Sequence, residues 1–235
     1  MTMRLALSSH MTDDPDVSVR ERQQQQWEET FAANRHMYGE HASESAAAAA
    51  GDFARAGVQR ALELGAGQGR DTLFLARRGF HVLALDYVEP ALTTIGEEAA
   101  AAGLGDRLDL LQHDVRDPLP FPDDSFDASY SHMLFCMALT TPELERLAGE
   151  VRRVTRPGGL VVYTVRHVGD AHYGTGIARG DDMFEHGGFI VHFFDRDLVE
   201  RLAHGFELVG VAEFTEGDLP RRLWRVTMRT PGPES

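Results

Sequence analysis

The run Ala61-Leu62-Glu63-Leu64-Gly65-Ala66-Gly67-Gln68-Gly69-Arg70-Asp71-Thr72 carries an apolar, strand-like segment through three alternate glycines straight into an amphipathic helical pattern. Alternate glycines permit positive φ and bring bare backbone against a ligand, and a strand that feeds a helix through them opens a βαβ unit. Taken alone, the same glycines also suit a plain tight strand-to-helix turn. The context therefore decides, and from Val58 onward short apolar runs alternate with helix-length periodic segments joined by short connections. That is the pattern of a largely parallel sheet packed between helices.

The periodicity predicts strands over 60–64, 81–86, 107–112, 126–131, 160–165, 206–213 and 223–228, and helices over 71–78, 90–102, 142–155 and 195–202. Only Thr215-Glu216-Gly217-Asp218-Leu219-Pro220 separates the last two strands, so they are expected to pair as an antiparallel hairpin. The expected fold class is α/β: a Rossmann-like, mostly parallel seven-stranded sheet with helices on both faces and an antiparallel C-terminal hairpin. Upstream, residues 1–18 lack periodicity and read as a disordered tail. Residues 19–37 are helix-compatible, with Trp27 and Phe31 on one face, and the alanine-rich stretch from Ser43 reads as a second helix ended by Gly51 or Gly57. Residues 19–57 are thus expected to form a helical lid on a domain spanning 58–235.

Composition narrows the function. At 235 residues the chain has room for one sizeable core with an added lid. It contains no lysine, so its 23 basic residues are arginines set against 37 carboxylates, for a formal charge of -14. Such a field repels polyanions, and no arginine cluster exceeds the pairs Arg77-Arg78, Arg152-Arg153 and Arg221-Arg222, so no nucleic-acid partner is expected. Cys136 is the single cysteine, which excludes an intrachain disulfide and a thiolate-rich zinc site, suits the cytoplasm and reads as a small buried residue. No apolar run is long enough to span a membrane.

The position three after Gly67 is Arg70, where a dinucleotide site needs a small residue for close helix packing, which argues against a nicotinamide oxidoreductase. Glu63 would repel a diphosphate but suits a cationic amino group, so the ligand is expected to be zwitterionic. Asp86, 21 residues after Gly65, lies where a carboxylate grips a ribose diol, and it equally suits a helix cap before Pro90. Asp114 and Val115 follow the next apolar run and could read an adenine edge or form a solvent-facing turn.

Three such signals at the ends of three successive strands resemble the class I S-adenosylmethionine-dependent methyltransferases. Leu119-Pro120-Phe121-Pro122-Asp123-Asp124-Ser125-Phe126-Asp127 is similar to the approach to that family's fourth strand, and Arg156-Pro157-Gly158-Gly159 to the turn before its fifth. The resemblance covers about 58–228 and implies S-adenosylmethionine as cofactor. By it, Gly65, Ala66 and Gly67 contact the methionine end, with Glu63 orienting the loop or the amino group. Asp86 holds the ribose with Tyr87 beside the adenine, and Asp114 and Val115 meet the adenine edge; Ser131 joins these candidates at the end of the fourth strand. Trp27, Phe31 and Met37-Tyr38-Gly39-Glu40 resemble the lid of the tellurite-resistance and thiopurine methyltransferase group.

Methyl transfer from a sulfonium needs alignment and dryness rather than a nucleophilic side chain, and a base only for a hydroxyl acceptor. The acceptor, expected to be a small molecule, belongs beyond the carboxyl ends of strands four and five. The catalytic candidates there are His167, His132, His172 and Tyr38, with Arg166 as an anchor for an anionic group; no standard metal-ligand spacing occurs, and none is expected. The stretch from Asp181 to Phe189 reads as a glycine-containing flap. Tyr130-Ser131-His132-Met133 lacks the Asn/Asp-Pro-Pro-aromatic pattern of enzymes that methylate base or amide nitrogens, which places RNA and protein acceptors behind small ones. A noncatalytic binding module is the alternative from another class.

Overall fold

Residues 18–39, 41–217 and 221–232 of the chain are described in a computed structural model. Strand alternation decides its layers. In β1 (Arg60–Leu64), Leu62 and Leu64 face one side of the sheet and Ala61 the other. In β5 (Thr155–Arg166), Val161, Tyr163 and Val165 join the first side, Leu160 and Val162 the second. Both faces are apolar, so both require cover. One is packed by α5 (Thr141–Val154) and α6 (Arg196–Leu202), the other by α2 (Glu44–Arg55), α3 (Arg70–Arg77) and α4 (Glu89–Ala101).

With β2 (His81–Asp86), β3 (Leu108–Gln112), β4 (Phe126–His132), β9 (Glu207–Glu216) and β10 (Arg221–Arg229), the sheet has seven strands in the order β3-β2-β1-β4-β5-β10-β9. β1 pairs in parallel with β2 and β4, and β10 runs antiparallel to β5 and β9. This is the expected fold class. The chain walks outward from β1 to β3 and returns on the other side at β4, so the loops after β1 and β4 part and leave a crevice at the carboxyl ends of the strands.

Three segments differ from expectation. The helix α2 is no lid: Ala46, Ala49, Ala50 and Phe53 are fully buried in the core, leaving α1 (Val19–Ala33) and residues 34–39 above the crevice. The fifth strand starts earlier than 160, because Phe126 pairs with Thr155 and Ala128 with Leu160 while 156–159 bulge around Gly158, at φ 74°. The expected flap is instead a small antiparallel sheet of β6 (Ile177–Gly180), β7 (Met183–His186) and β8 (Phe189–His192). Its turns are Asp181-Asp182 and Gly187-Gly188, all four with positive φ, which is the two-residue connection that matches strand twist. Of the expected 1–18 tail, 1–17 lie outside the described residues; Ser18 closes a capping box with Glu21 at the start of α1.

The third glycine of the loop is a packing requirement. Gly69 sits at φ 81°, and a Cβ there would lie 2.5 Å from Ile95 Cγ1 on α4. Gly69→Ala is expected to cost about 2–4 kcal/mol, from left-handed backbone strain plus overpacking. Urea denaturation measures it, and a loss under about 0.5 kcal/mol contradicts the close approach.

Candidate active site

The glycine turn is pinned by the neighbouring strand. Gly65 and Ala66 N–H both donate to the Leu85 carbonyl, at 2.9 and 3.1 Å. Gly67 N–H donates to Asp86 Oδ2 at 2.8 Å, and Asp86 Oδ1 accepts from Val88 N–H, the cap of α4, at 2.9 Å. Asp86 is thus not the N-cap of α4, which is Val88 without a side-chain cap; it closes a turn two residues ahead of the helix and is buried at the lining of the crevice. Gly65 and Gly67 both hold positive φ, and a Cβ on Gly65 would strike Leu134 at 2.9 Å, so backbone alone forms this part of the wall.

Two carboxylates at this turn have opposite surroundings. Asp71 is saturated: Oδ1 accepts from Ser43 N–H (2.8 Å) and Arg70 Nε (3.1 Å), Oδ2 from the hydroxyls of Ser43 (2.7 Å) and Tyr130 (2.9 Å). Burial works to raise its carboxyl, but Arg70, His132 and the Ser43 hydrogen bonds hold it below the ordinary value. Glu63 is 2% exposed and its Oε2 has no hydrogen-bond partner. Burial, reinforced by Asp71, pushes its carboxyl up to about 8.

These groups open on a cavity of about 320 Å³ between the strand ends, α1 and β8, at the small end of ligand-site sizes. Glu63 and the Gly65-Ala66-Gly67 turn form one wall, Asp86 and Tyr87 the next, Asp114 and Val115 the far end. Asp114 is gripped by Arg116, through the backbone N–H at 2.9 Å and Nη1, and by Arg20 Nε of α1 at 2.8 Å. Val115 N–H has no hydrogen-bond partner among the described residues. Trp27 and Phe31, 5.2 Å apart, form the roof with Phe189 of β8, whose ring lies 4.6 Å from Trp27. Gln23 fastens α1 to the small sheet, donating to the Gly188 carbonyl (2.7 Å) and accepting from Ile190 N–H (3.1 Å).

Of the expected catalytic group, Tyr38 and His132 line this cavity, whereas His167 and His172 do not. Strand parity explains His167: Arg166 faces the cavity, and the next side chain turns to the opposite side, where it stacks on Trp224 at 4.6 Å and 4°. Burial lowers the His167 imidazole, whose Nε2 lies 3.6 Å from Glu213 Oε1. His172 stands behind Arg166, its Nδ1 2.7 Å from Nη2. Ser131 is also off the cavity, donating to the Leu64 carbonyl at 3.0 Å as a brace between β4 and β1. Cys136 is buried, its thiol pushed up to about 11 by burial and donating to the Met133 carbonyl.

Both nitrogens of His132 are occupied: Nδ1 lies 3.0 Å from Thr164 Oγ1 and Nε2 3.0 Å from Glu216 Oε2. The imidazole thus orients Glu216, whose carboxyl is held below its ordinary value because the His132 hydrogen bond and charge outweigh burial. Glu216 and Arg221 line the cavity and were absent from the residues expected from sequence. The hairpin carries the missing signal: a strand antiparallel to β5 begins at the carboxyl end of the parallel strands, so residues flanking its turn fall at the crevice.

Residues 61–159 match a family model described as a methyltransferase domain. The match spans less than half of the chain. A sterol 24-C-methyltransferase of Gibberella zeae is 32% identical over 139 residues, covering 57% of this chain and 36% of that protein; the chain therefore accounts for little more than a third of that relative's length. Among solved structures, the 1,6-didemethyltoxoflavin-N1-methyltransferase of Burkholderia thailandensis superposes with a TM-score of 0.71 at 18% identity, covering 93% of each chain. TehB from Haemophilus influenzae superposes with a TM-score of 0.64 at 14% identity, covering 87% of this chain and 67% of that one. The chain thus shares its fold with these two proteins, and its glycine turn lies inside the stretch matched by the family model.

The unsatisfied Glu63 gives a pH signature. A carboxyl raised on folding from 4.5 to about 8 favours the folded state in full below pH 4.5 and loses that contribution as pH climbs to about 8. Glu63→Gln cannot ionise, so its unfolding free energy relative to the parent is expected to rise steadily across that span and then level off. Parallel urea titrations at several pH values measure the gap, and a gap independent of pH contradicts a neutral Glu63.

Proposed function

We propose that the chain is an S-adenosylmethionine-dependent methyltransferase acting on a small molecule. The observation that carries the reading is the buried, unpartnered Glu63 oxygen beside bare glycine backbone. A buried acceptor without a partner is costly, and the cationic amino group of a methionine moiety satisfies it. The Gly65-Ala66-Gly67 turn would hold the rest of that moiety, Asp86 the ribose hydroxyls on its remaining lone pairs, and Tyr87 the side of the adenine. The free Val115 N–H and the Asp114 carboxylate would meet the adenine edge. Bound there, S-adenosylmethionine supplies a methyl group already activated on a sulfonium.

The chain's own residues then align the acceptor and keep water out. Trp27, Phe31 and Met37 cover the cavity, so α1 with residues 34–39 is assigned as the lid and the segment from 41 onward as the catalytic domain. Tyr38, His132 and Glu216 mark the acceptor end. His132 holds Glu216 as a positioning residue, and a Glu216 oxygen takes the proton when the acceptor is a hydroxyl; a thiolate or neutral amine needs alignment alone. The sterol and didemethyltoxoflavin in the relatives' names support a small acceptor, and the charge of -14 weighs against nucleic acid. Among the described residues no helix is long and apolar enough to cross a membrane; with the single buried Cys136, the cytoplasm is the assigned compartment.

Calorimetric titration of the folded protein with S-adenosylmethionine is expected to show one site, and absence of heat contradicts the reading. Asp86→Ala removes charge-assisted hydrogen bonds of about 1.5–3 kcal/mol, so affinity is expected to fall on the order of 10–150-fold. An unchanged affinity takes the ribose away from Asp86. Release of S-adenosylhomocysteine in the presence of acceptor separates an enzyme from a binding module.

A further inference from the structure

Three hydrogen-bond donors without partners among the described residues line the cavity. The Arg221 guanidinium makes no hydrogen bond or ion pair with a described residue, although it lines the cavity and its charge bears on Tyr38 and Glu216. Arg166 gives Nε and Nη2 to Asp170 and leaves Nη1 without a partner among the described residues. The Tyr38 hydroxyl likewise has none, while the Tyr38 carbonyl accepts from Arg70. Strand register explains how the two arginines meet. Arg166 is paired with Leu223 across β5 and β10, and Arg221, two residues before Leu223, shares its face and sits on the diagonal, within reach of long side chains.

Arg166 is fixed from behind. Asp170 is 1% exposed at its side chain and accepts from Arg166, His172 N–H and Arg222 N–H, while the Arg166 guanidinium lies over Phe193 at 5.1 Å. Such a guanidinium is immobilised before any ligand arrives, which lowers the ordering cost of a contact. Burial pushes the Tyr38 hydroxyl up to about 12, so it stays a donor at any physiological pH. Two guanidinium groups and a phenol lining one cavity can serve as a receptor for an oxyanion.

We propose that the methyl acceptor carries a carboxylate or equivalent small oxyanion, seated on Arg221, Arg166 Nη1 and the Tyr38 hydroxyl. This rests on the methyltransferase reading of the same cavity. The apolar remainder of the acceptor then lies along Met133 and Met137, and Glu216 faces the acceptor's X–H group rather than its anion, since two carboxylates in contact repel.

The test is calorimetric titration of benzoate and of its neutral counterpart benzamide into the full chain, with and without saturating S-adenosylhomocysteine. Benzoate is expected to bind at least ~10-fold more tightly than benzamide, and Arg221→Gln to reduce that preference by about 10-fold or more. Tyr38→Phe, which changes a single hydroxyl, is expected to reduce it to a smaller degree, and S-adenosylhomocysteine affinity is expected to stay within about twofold in both variants. Equal binding of the acid and the amide, no benzoate binding, or an undiminished preference in both variants overturns the proposal. If S-adenosylhomocysteine fails to bind while the benzoate preference and its loss in Arg221→Gln persist, the anion site stands and the methyltransferase reading falls.

Discussion

Two carboxyl groups beside one glycine turn, held in opposite states, are what the rest of this site depends on. Asp71 takes four hydrogen bonds and draws together the start of α2, the hydroxyl of Tyr130 on β4 and the first turn of α3. Its charge is affordable in the interior because every acceptor position is used. The same charge bears on Glu63, whose Oε2 is buried without a hydrogen-bond partner and whose carboxyl burial and Asp71 push up against the opposing pull of Thr72 and Arg70. One carboxylate therefore builds the crevice, and the proposed function gives the other, a neutral acid in the crevice wall, the role of meeting a cation, a division of roles set by environment.

The cover over the crevice is held differently. Its helix is tied to the body by the amide of Gln23, by the tilted ring contact between Trp27 and Phe189, and by Arg20 reaching Asp114 and Asp117. Arg20 and Asp117 are substantially exposed, and exposed pairs contribute about 1 kcal/mol at most. A rigid floor under a lightly fastened roof lets a ligand enter without disturbing the sheet, and excludes water once the roof is closed. Asp114 joins the two, since it belongs to the floor yet accepts from a roof arginine.

What could be read from the chain alone follows a physical division. The central strands were legible because their apolar runs meet two covered faces, the more exposed edge strands β3 and β9 because short apolar runs are bounded by turns, and the turn from Leu64 to Arg70 because glycine is needed where φ is positive. The small sheet does not show in the sequence as strands: each is only four residues long, and Asp181-Asp182 and Gly187-Gly188 have the composition of a loop as much as of paired hairpin turns. Parity decided the histidines. His167 adjoins Arg166, yet only one of two neighbours in an extended segment faces a given cavity, and it is the arginine. Glu216 and Arg221 escaped because their approach to β4 and β5 depends on strand register, and Asp71 because its four donors come from residues as distant in sequence as Ser43 and Tyr130.

The most direct measurement is a crystal structure of the full chain with S-adenosylhomocysteine. The expected result places the amino group of that ligand within about 2.6–3.2 Å of a Glu63 oxygen, with the ribose on Asp86 and the sulfur turned toward Tyr38 and Glu216. Nucleoside density outside the crevice, or a bound ligand that leaves Glu63 still without a partner, contradicts the central claim.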